Sequence, residues 1–241
     1  SLLSFFAFIY WLNKRSEGKE SAELKIRSYK KLLKISIPLM FAQSVQFIMA
    51  WTDKLMLGNM TTPEDVGIYH TAFKLSMFAS IALMSINSIA SPKFAEMYAE
   101  NNMKGLKKVV HQSTKIIFWT SVPLVSVFFV FPEFLLGIFG EEFKLGVTAF
   151  IFLSCGRLIS SFSGSVGTIL QMTGNQNIYA KILLFGAIMN VVLNLILIPK
   201  YGINGAAIAS MSSLIVWNLS MVLVVKKRFG FYTFYIPFIK T

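Results

Sequence analysis

The run IYAKILLFGAIMNVVLNLILIPKYGINGAAIASMSSLIVWNLSMVLVV, residues 178–225, is predominantly apolar beyond Lys181 at its edge and is broken once, at Pro199-Lys200-Tyr201-Gly202. A bilayer core about 30 Å thick needs about 20 apolar residues of helix to cross it. The run therefore reads as two spans, 178–198 and 203–225, joined by a tight turn. Working outward, stretches of the same kind occupy 35–52, 66–90, 116–131 and 146–172, and a shorter one fills 1–12. The expected fold is an all-α polytopic membrane helix bundle with about six full transmembrane helices and a partial one at the N-terminus. Only helices and closed barrels satisfy every backbone polar group in hydrocarbon.

Composition agrees with that reading. The chain is 55% hydrophobic and 14% charged, with a mean hydropathy of +0.62, whereas soluble domains carry about 25% charged residues. A net charge of +12 raises the question of nucleic acid. Yet the basic residues flank the apolar runs instead of forming one solvated face interleaved with aromatics, so no nucleic-acid partner is expected. The single Cys155 excludes an intrachain disulfide and offers no zinc spacing. Paired carboxylates, a His/Cys metal set, a nucleophile elbow and a phosphate-binding glycine loop are all missing, so neither an enzyme nor a cofactor or metal is expected.

The cations set an orientation. Segments 13–34, 91–115, 173–181 and 226–241 hold eight, five, one and four Lys/Arg, which is 18 of the 23. The alternate connections, 53–65, 132–145 and 199–202, hold only Lys54, Lys144 and Lys200. Cytoplasmic loops of membrane proteins carry the excess of Lys and Arg, so the basic connections and the C-terminus are expected in the cytoplasm. The expected location is the cell membrane, with the bilayer as first partner. The opening stretch, cut off at Asn13-Lys14-Arg15, reads as the end of a span that begins upstream.

Two cations, Lys74 and Arg157, lie inside apolar runs. Both fall roughly 12–17 Å below the outer surface at 1.5 Å per residue, a depth at which they can face one cavity and hold one anion. Pairing with a carboxylate is the competing reading, and Asp53, expected near the outer mouth, is the candidate. Polar residues recur on helical spacing beside them: Gln43, Gln46 and Asp53 in one span, and Ser161, Thr168 and Gln171 in another. Such groups are costly in lipid and should face protein or water, which makes them the expected polar lining. Asn190 and Asn194, one turn apart, and Gly202 and Gly205 are assigned to helix packing or to the cavity.

Three passages resemble the Wzx-type polysaccharide flippases of the MOP (multidrug/oligosaccharidyl-lipid/polysaccharide) exporter superfamily. The first is Thr52-Asp53-Lys54-Leu-Met-Leu-Gly58 with Val66-Gly67-Ile-Tyr69-His-Thr-Ala72-Phe-Lys74-Leu75. The second is Leu136-Gly-Ile-Phe139-Gly140-Glu-Glu-Phe143. The third and most specific runs from Gly174-Asn175 through Asn190, Asn194 and Ile198-Pro199 to Gly202-Ile-Asn-Gly205-Ala-Ala207-Ile-Ala209. The resemblance covers about 35–228.

It implies the second lobe of a two-lobe, MATE-like fold. Residues 1–12 would end the preceding helix, 13–34 would be the basic inter-lobe linker, 35–228 the six-helix C-terminal lobe and 229–241 a cytoplasmic tail. The N-terminal lobe of the full-length protein becomes an expected partner. The resemblance also implies an undecaprenyl-diphosphate-linked oligosaccharide as substrate, moved from inner to outer leaflet by alternating access, with possible coupling to an H⁺ or Na⁺ gradient or to the membrane potential. Lys74 lies within a matching passage. Arg157 matches none, and its role is inferred from position and charge. A cation-coupled multidrug antiporter lobe and a non-transporting assembly partner of polysaccharide synthesis are the alternatives.

Overall fold

The computed structural model describes Ala22–Tyr235. Residues 1–21, including the expected helix end at 1–12, and the last part of the tail lie outside the described residues. Two compact units divide between Ile37 and Pro38. The described part of the first is helical, and everything below concerns the second.

Helix α1 (Ala22–Met60) carries the expected 35–52 span but continues well beyond it. No Gly or Pro interrupts the chain between Trp51 and Leu57, so Asp53 and Lys54, expected in an outer loop, are helical. The loop shrinks to Thr61 and Thr62. Thr62 caps α2 (Pro63–Met77) with a reciprocal capping box to Asp65, and Pro63 sits in the first turn, where its missing N–H costs nothing. A 3₁₀ turn at Phe78–Ser80 joins α2 to α3 (Ile81–Ala99). The basic stretch after Pro92 thus prolongs a span. Asn102 accepts a hydrogen bond from the Gly105 N–H (2.8 Å) and starts α4 (Met103–Val130).

Pro132 opens a one-turn helix, α5 (Pro132–Gly137), followed by a 3₁₀ segment, Glu141–Gly146. The expected span 146–172 is divided into α6 (Val147–Ser163) and α7 (Val166–Met172). The division falls at Gly164, whose φ of 71° and ψ of −150° belong to a region that essentially only glycine enters. The last two expected spans form α8 (Gln176–Phe229), with a non-helical Gly202 (φ 52°, ψ −130°) as its bend. At Gly205 a Cβ would run into the backbone of Leu197 and Ile198, so glycine lets the second arm fold close to the first. At Gly156 an added Cβ would lie 3.2 Å from the Cα of Met211, which brings α6 against that second arm.

Two buried clusters form the core. One gathers Leu57, Tyr69, Phe128, Leu136, Phe150 and Ile198 near the Thr61 and Gly202 turns. The other gathers Phe94, Leu106, Val110, Ile169, Leu170 and Leu183 toward the Gly174 turn. Many large apolar side chains point outward, among them Phe47, Ile89 and Leu145, each at least two-thirds exposed. That is the pattern of a bundle solvated by lipid. By length and composition, four helical stretches among the described residues can cross a membrane: Pro63–Ala99, Met103–Val130, Glu141–Ser163 and Gln176–Phe229.

Beyond Gly230 (φ 81°) the chain turns back onto the bundle. Phe231 and Thr233 are buried, and the Thr233 hydroxyl donates to the carbonyl of Ser163 at 2.8 Å. That carbonyl stands at the end of α6, where the helix break removes its usual partner.

Candidate functional site

A cavity of about 750 Å³ opens among α1, α2, α3, α6, α7 and both arms of α8. Lys74 and Arg157 both line it. Among the described residues, the ion pairs are Lys93–Glu96 (2.8 Å) and Lys144–Glu141 (2.7 Å), and neither cavity cation takes part in one. Lys54, assigned to a loop by the sequence, joins them because α1 stays helical past Trp51. Its ammonium nitrogen lies 4.8 Å from the centre of the Trp51 ring and 5.0 Å from that of Phe73. The Arg157 guanidinium carbon lies 5.4 Å from the same Phe73 ring. One aromatic ring therefore steadies two like charges through its negative faces. His70, expected at an interface, also lines the cavity.

The carboxylate expected near the mouth is elsewhere. Asp53 is only 2% exposed and accepts hydrogen bonds from the Tyr69 hydroxyl (2.7 Å), the Asn194 amide (2.7 Å) and the Ser210 hydroxyl. The Asn190 side chain ties this set together, donating to Ser210 (3.4 Å) and accepting from Asn194 (3.2 Å). A buried carboxylate is tolerated where several donors replace its water. Here α2 and both arms of α8 supply them to a side chain of α1. Asn194 is therefore a ligand of a carboxylate that borders the cavity, Asn190 holds Asn194 and Ser210 in place, and neither asparagine lines the cavity itself.

Among the remaining expected lining residues, Gln46, Thr168 and Gln171 face the cavity. Gln43 is exposed on the outer surface of α1, and Ser161 is fully buried in α6, away from the lining. A helical stripe read from spacing places a residue only to within its neighbours: Ser160, not Ser161, lines the cavity, and on α1 the lining begins at Gln46. Gly202 and Gly205 shape α8 and do not contact the cavity. The sequence reading missed Lys54, Tyr179 and Trp217. For Trp217 and Tyr179 nothing distinguishes a cavity-facing aromatic from a lipid-facing one in the sequence alone.

The MatE family profile matches residues 38–196, more than half of the chain. The chain belongs to the MatE family. Among curated relatives of this MatE chain, a probable low-salt glycan biosynthesis flippase, Agl15, of Haloferax volcanii is 26% identical over 68% of this chain and 35% of its own length. The capsular polysaccharide biosynthesis protein CapF of Staphylococcus aureus is 25% identical over 95% of this chain and 59% of its own. The MatE chain thus spans roughly a third to three-fifths of these relatives. Among solved structures, a MATE protein in a bent conformation aligns with a TM-score of 0.78 at 16% identity, over 89% of this chain and 48% of that one. A MOP superfamily transporter from Pyrococcus furiosus, described by the reverse polarity of its binding pocket, aligns at 0.69 and 22% identity over 87% and 48%. These likenesses establish the all-helical MATE fold.

Proposed function

We propose that this MatE chain is the C-terminal lobe of a membrane transporter that moves a polyprenyl-diphosphate-linked oligosaccharide, of the undecaprenyl type, from the inner to the outer leaflet by alternating access. The observation that carries the proposal is the charge of the cavity. Lys54, Lys74 and Arg157 face one space whose only acidic lining residue, Asp53, is already held by neutral donors. Cations inside a membrane bundle are costly and mark the path of what is carried. Arg suits a planar, bidentate grip on phosphate oxygens, while Lys supplies a mobile point charge. The flippase and capsule-biosynthesis names of the relatives support a glycan-linked substrate.

The cavity is bordered by one lobe only, so the second wall belongs to the N-terminal lobe of the full-length protein. The basic connections and the C-terminus face the cytoplasm, and the protein resides in the cell membrane. Asp53 is the residue we assign to gradient coupling. Exchange of a proton or of Na⁺ at its carboxylate would alter the bonds of α1 to α2 and to both arms of α8 at once.

The buried Asp53 also favours a second reading, a cation-coupled drug antiporter. The excess of cations in the cavity argues against it, because a cationic drug would meet three like charges in a medium that screens them poorly.

Complementation of a flippase-deficient strain tests the proposal. The full-length protein should restore surface polysaccharide, whereas Lys74→Ala and Arg157→Ala should not. Full export by both variants overturns the anion site. The 241-residue chain alone, with half of the cavity wall, should not restore export.

A further inference from the structure

The cavity is chemically divided along its length. At the end near the Thr61 and Gly202 turns stand Lys54, His70, Lys74 and Arg157, the only residues able to carry positive charge in the lining. Lys and Arg side chains are donors without acceptor capacity. Toward the Gly174 turn the lining holds no charged residue. Its polar and aromatic members are Gln46, Asn87, Gln171 and Asn218 together with Thr168, Tyr179 and Trp217, set among apolar side chains such as Met49, Leu183 and Met221. Gln46 and Lys54 lie eight positions apart on α1, so the two ends are separated by about 12 Å.

The amides at the neutral end share a disposition. Gln46 donates its N–H to the Tyr179 hydroxyl (2.8 Å), Gln171 to the Gly167 carbonyl (3.2 Å) and Asn218 to the Leu214 carbonyl (2.8 Å). Each is thereby held in place by the protein and keeps a second N–H and a carbonyl oxygen for further hydrogen bonds. The Asn87 side-chain oxygen is buried without a hydrogen-bond partner among the described residues. Neutral side-chain amides both donate to and accept from hydroxyl groups. Beside them stands Trp217, whose ring lies across Gly186. A Cβ at 186 would come within 2.7 Å of it, so the glycine lets the indole lie flat against α8. Aromatic faces of this kind bind the apolar C–H faces of ring ligands while amides orient their polar edges.

We infer that the neutral end is a carbohydrate subsite in which Trp217 stacks on a sugar ring and Gln46, Gln171 and Asn218 hydrogen-bond to its hydroxyls, next to the diphosphate held at the cationic end. The inference rests on the proposed lipid-linked substrate and assigns its glycan to particular residues. A neutral, hydroxyl-bearing glycan at one end of the ligand and an anionic diphosphate at the other match the amide-lined and the cationic ends of the cavity. The separation of about 12 Å accommodates the diphosphate and the first sugars of the chain.

Two probes test this on the full-length protein in lipid nanodiscs: undecaprenyl diphosphate without sugar, and the same lipid carrying an N-acetylglucosamine-containing disaccharide. The quantity read is the ratio of their affinities. Trp217→Leu and Gln171→Leu should each lower the preference for the glycosylated lipid by about fivefold, the usual worth of one lost stacking or hydrogen-bond contact. Binding of the sugar-free lipid reports in the same experiment that each variant is folded, and Thr168→Val, a near-isosteric change, gives a milder variant with a smaller loss in the same direction. An unchanged ratio in all three variants overturns the carbohydrate subsite while leaving the diphosphate site intact. Failure of the wild-type protein to bind either lipid overturns the proposed substrate itself.

Discussion

The Asn194 amide donates to the Asp53 carboxylate at 2.7 Å, across 141 positions of sequence, and pins the first arm of α8 to α1. The same carboxylate receives Tyr69 from α2 and Ser210 from the second arm of α8. Four segments thus converge on one side chain. Replacing Asn194 by Leu removes a donor without admitting water, and the cost of a lost hydrogen bond to a charged group is about 1.5–3 kcal/mol. Asn194→Leu should therefore lower the melting temperature of the full-length protein in detergent. Asp53→Asn keeps the shape and removes the charge, and it should abolish gradient-driven export while protein still reaches the membrane. Wild-type export by Asp53→Asn refutes the coupling role.

Arg157 offers a sharper test of the anion site than truncation does. It is half-buried in α6 with its guanidinium beside Phe73, so the planar fork is already oriented toward the cavity. Arg157→Lys keeps the charge but loses the bidentate grip, and Arg157→Gln loses both. A charge-assisted bond worth about 1.5–3 kcal/mol corresponds to roughly a tenfold to hundredfold change in affinity. Affinity for the sugar-free diphosphate lipid should fall in the order Arg, Lys, Gln. Equal affinities for the Lys and Gln variants would exclude an electrostatic role at this position.

The helical class of the fold was legible because hydropathy over about 20 residues has few structural solutions. Lys74 and Arg157 stood out because a cation is rare in such a run. The local breaks were harder to read. Nothing in Ser163-Gly164-Ser165 announces a helix break, since glycine is also common in the interior of membrane helices. It is the φ of 71° at Gly164 that divides α6 from α7. Asp53 was misplaced for a related reason. It follows an apolar run, where a carboxylate ordinarily marks the end of a span, and its donors come from residues up to 157 positions away. Long-range polar pairing of this kind leaves no local pattern.

The glycines at two turns make a comparison with opposite steric settings. Gly164 and Gly174 both have positive φ, at 71° and 75°. A Cβ at Gly174 would meet nothing within 4 Å, whereas one at Gly164 would overlap the buried Thr114 side chain. Gly174→Ala should cost only the backbone strain of about 1–2 kcal/mol. Gly164→Ala adds overpacking and should cost roughly 2–6 kcal/mol in total. Thermal unfolding of the two variants in detergent separates these values. Equal losses would mean that the contact with Thr114 is relieved by movement of α4.

Orientation in the membrane is open to a direct labelling experiment. Helix α4 (Met103–Val130) runs from the basic connection around Lys107 and Lys108 to the short turn at Glu133, and both Lys108 and Glu133 are exposed. The basic side should be cytoplasmic, because the segments that the span pattern assigns to that side hold 18 of the 23 Lys and Arg residues and positive charge near span ends is retained inside. Cys155, the single cysteine of these 241 residues, and any cysteine elsewhere in the full-length protein are first replaced by Ser to give a silent background. Glu133→Cys should then react with a membrane-impermeant maleimide on intact cells, and Lys108→Cys only after permeabilisation. Because one helix separates the two positions, labelling of both from the same side would mean that α4 does not span. Labelling of Lys108→Cys alone on intact cells would reverse the whole lobe and place the cationic end of the cavity toward the cytoplasm.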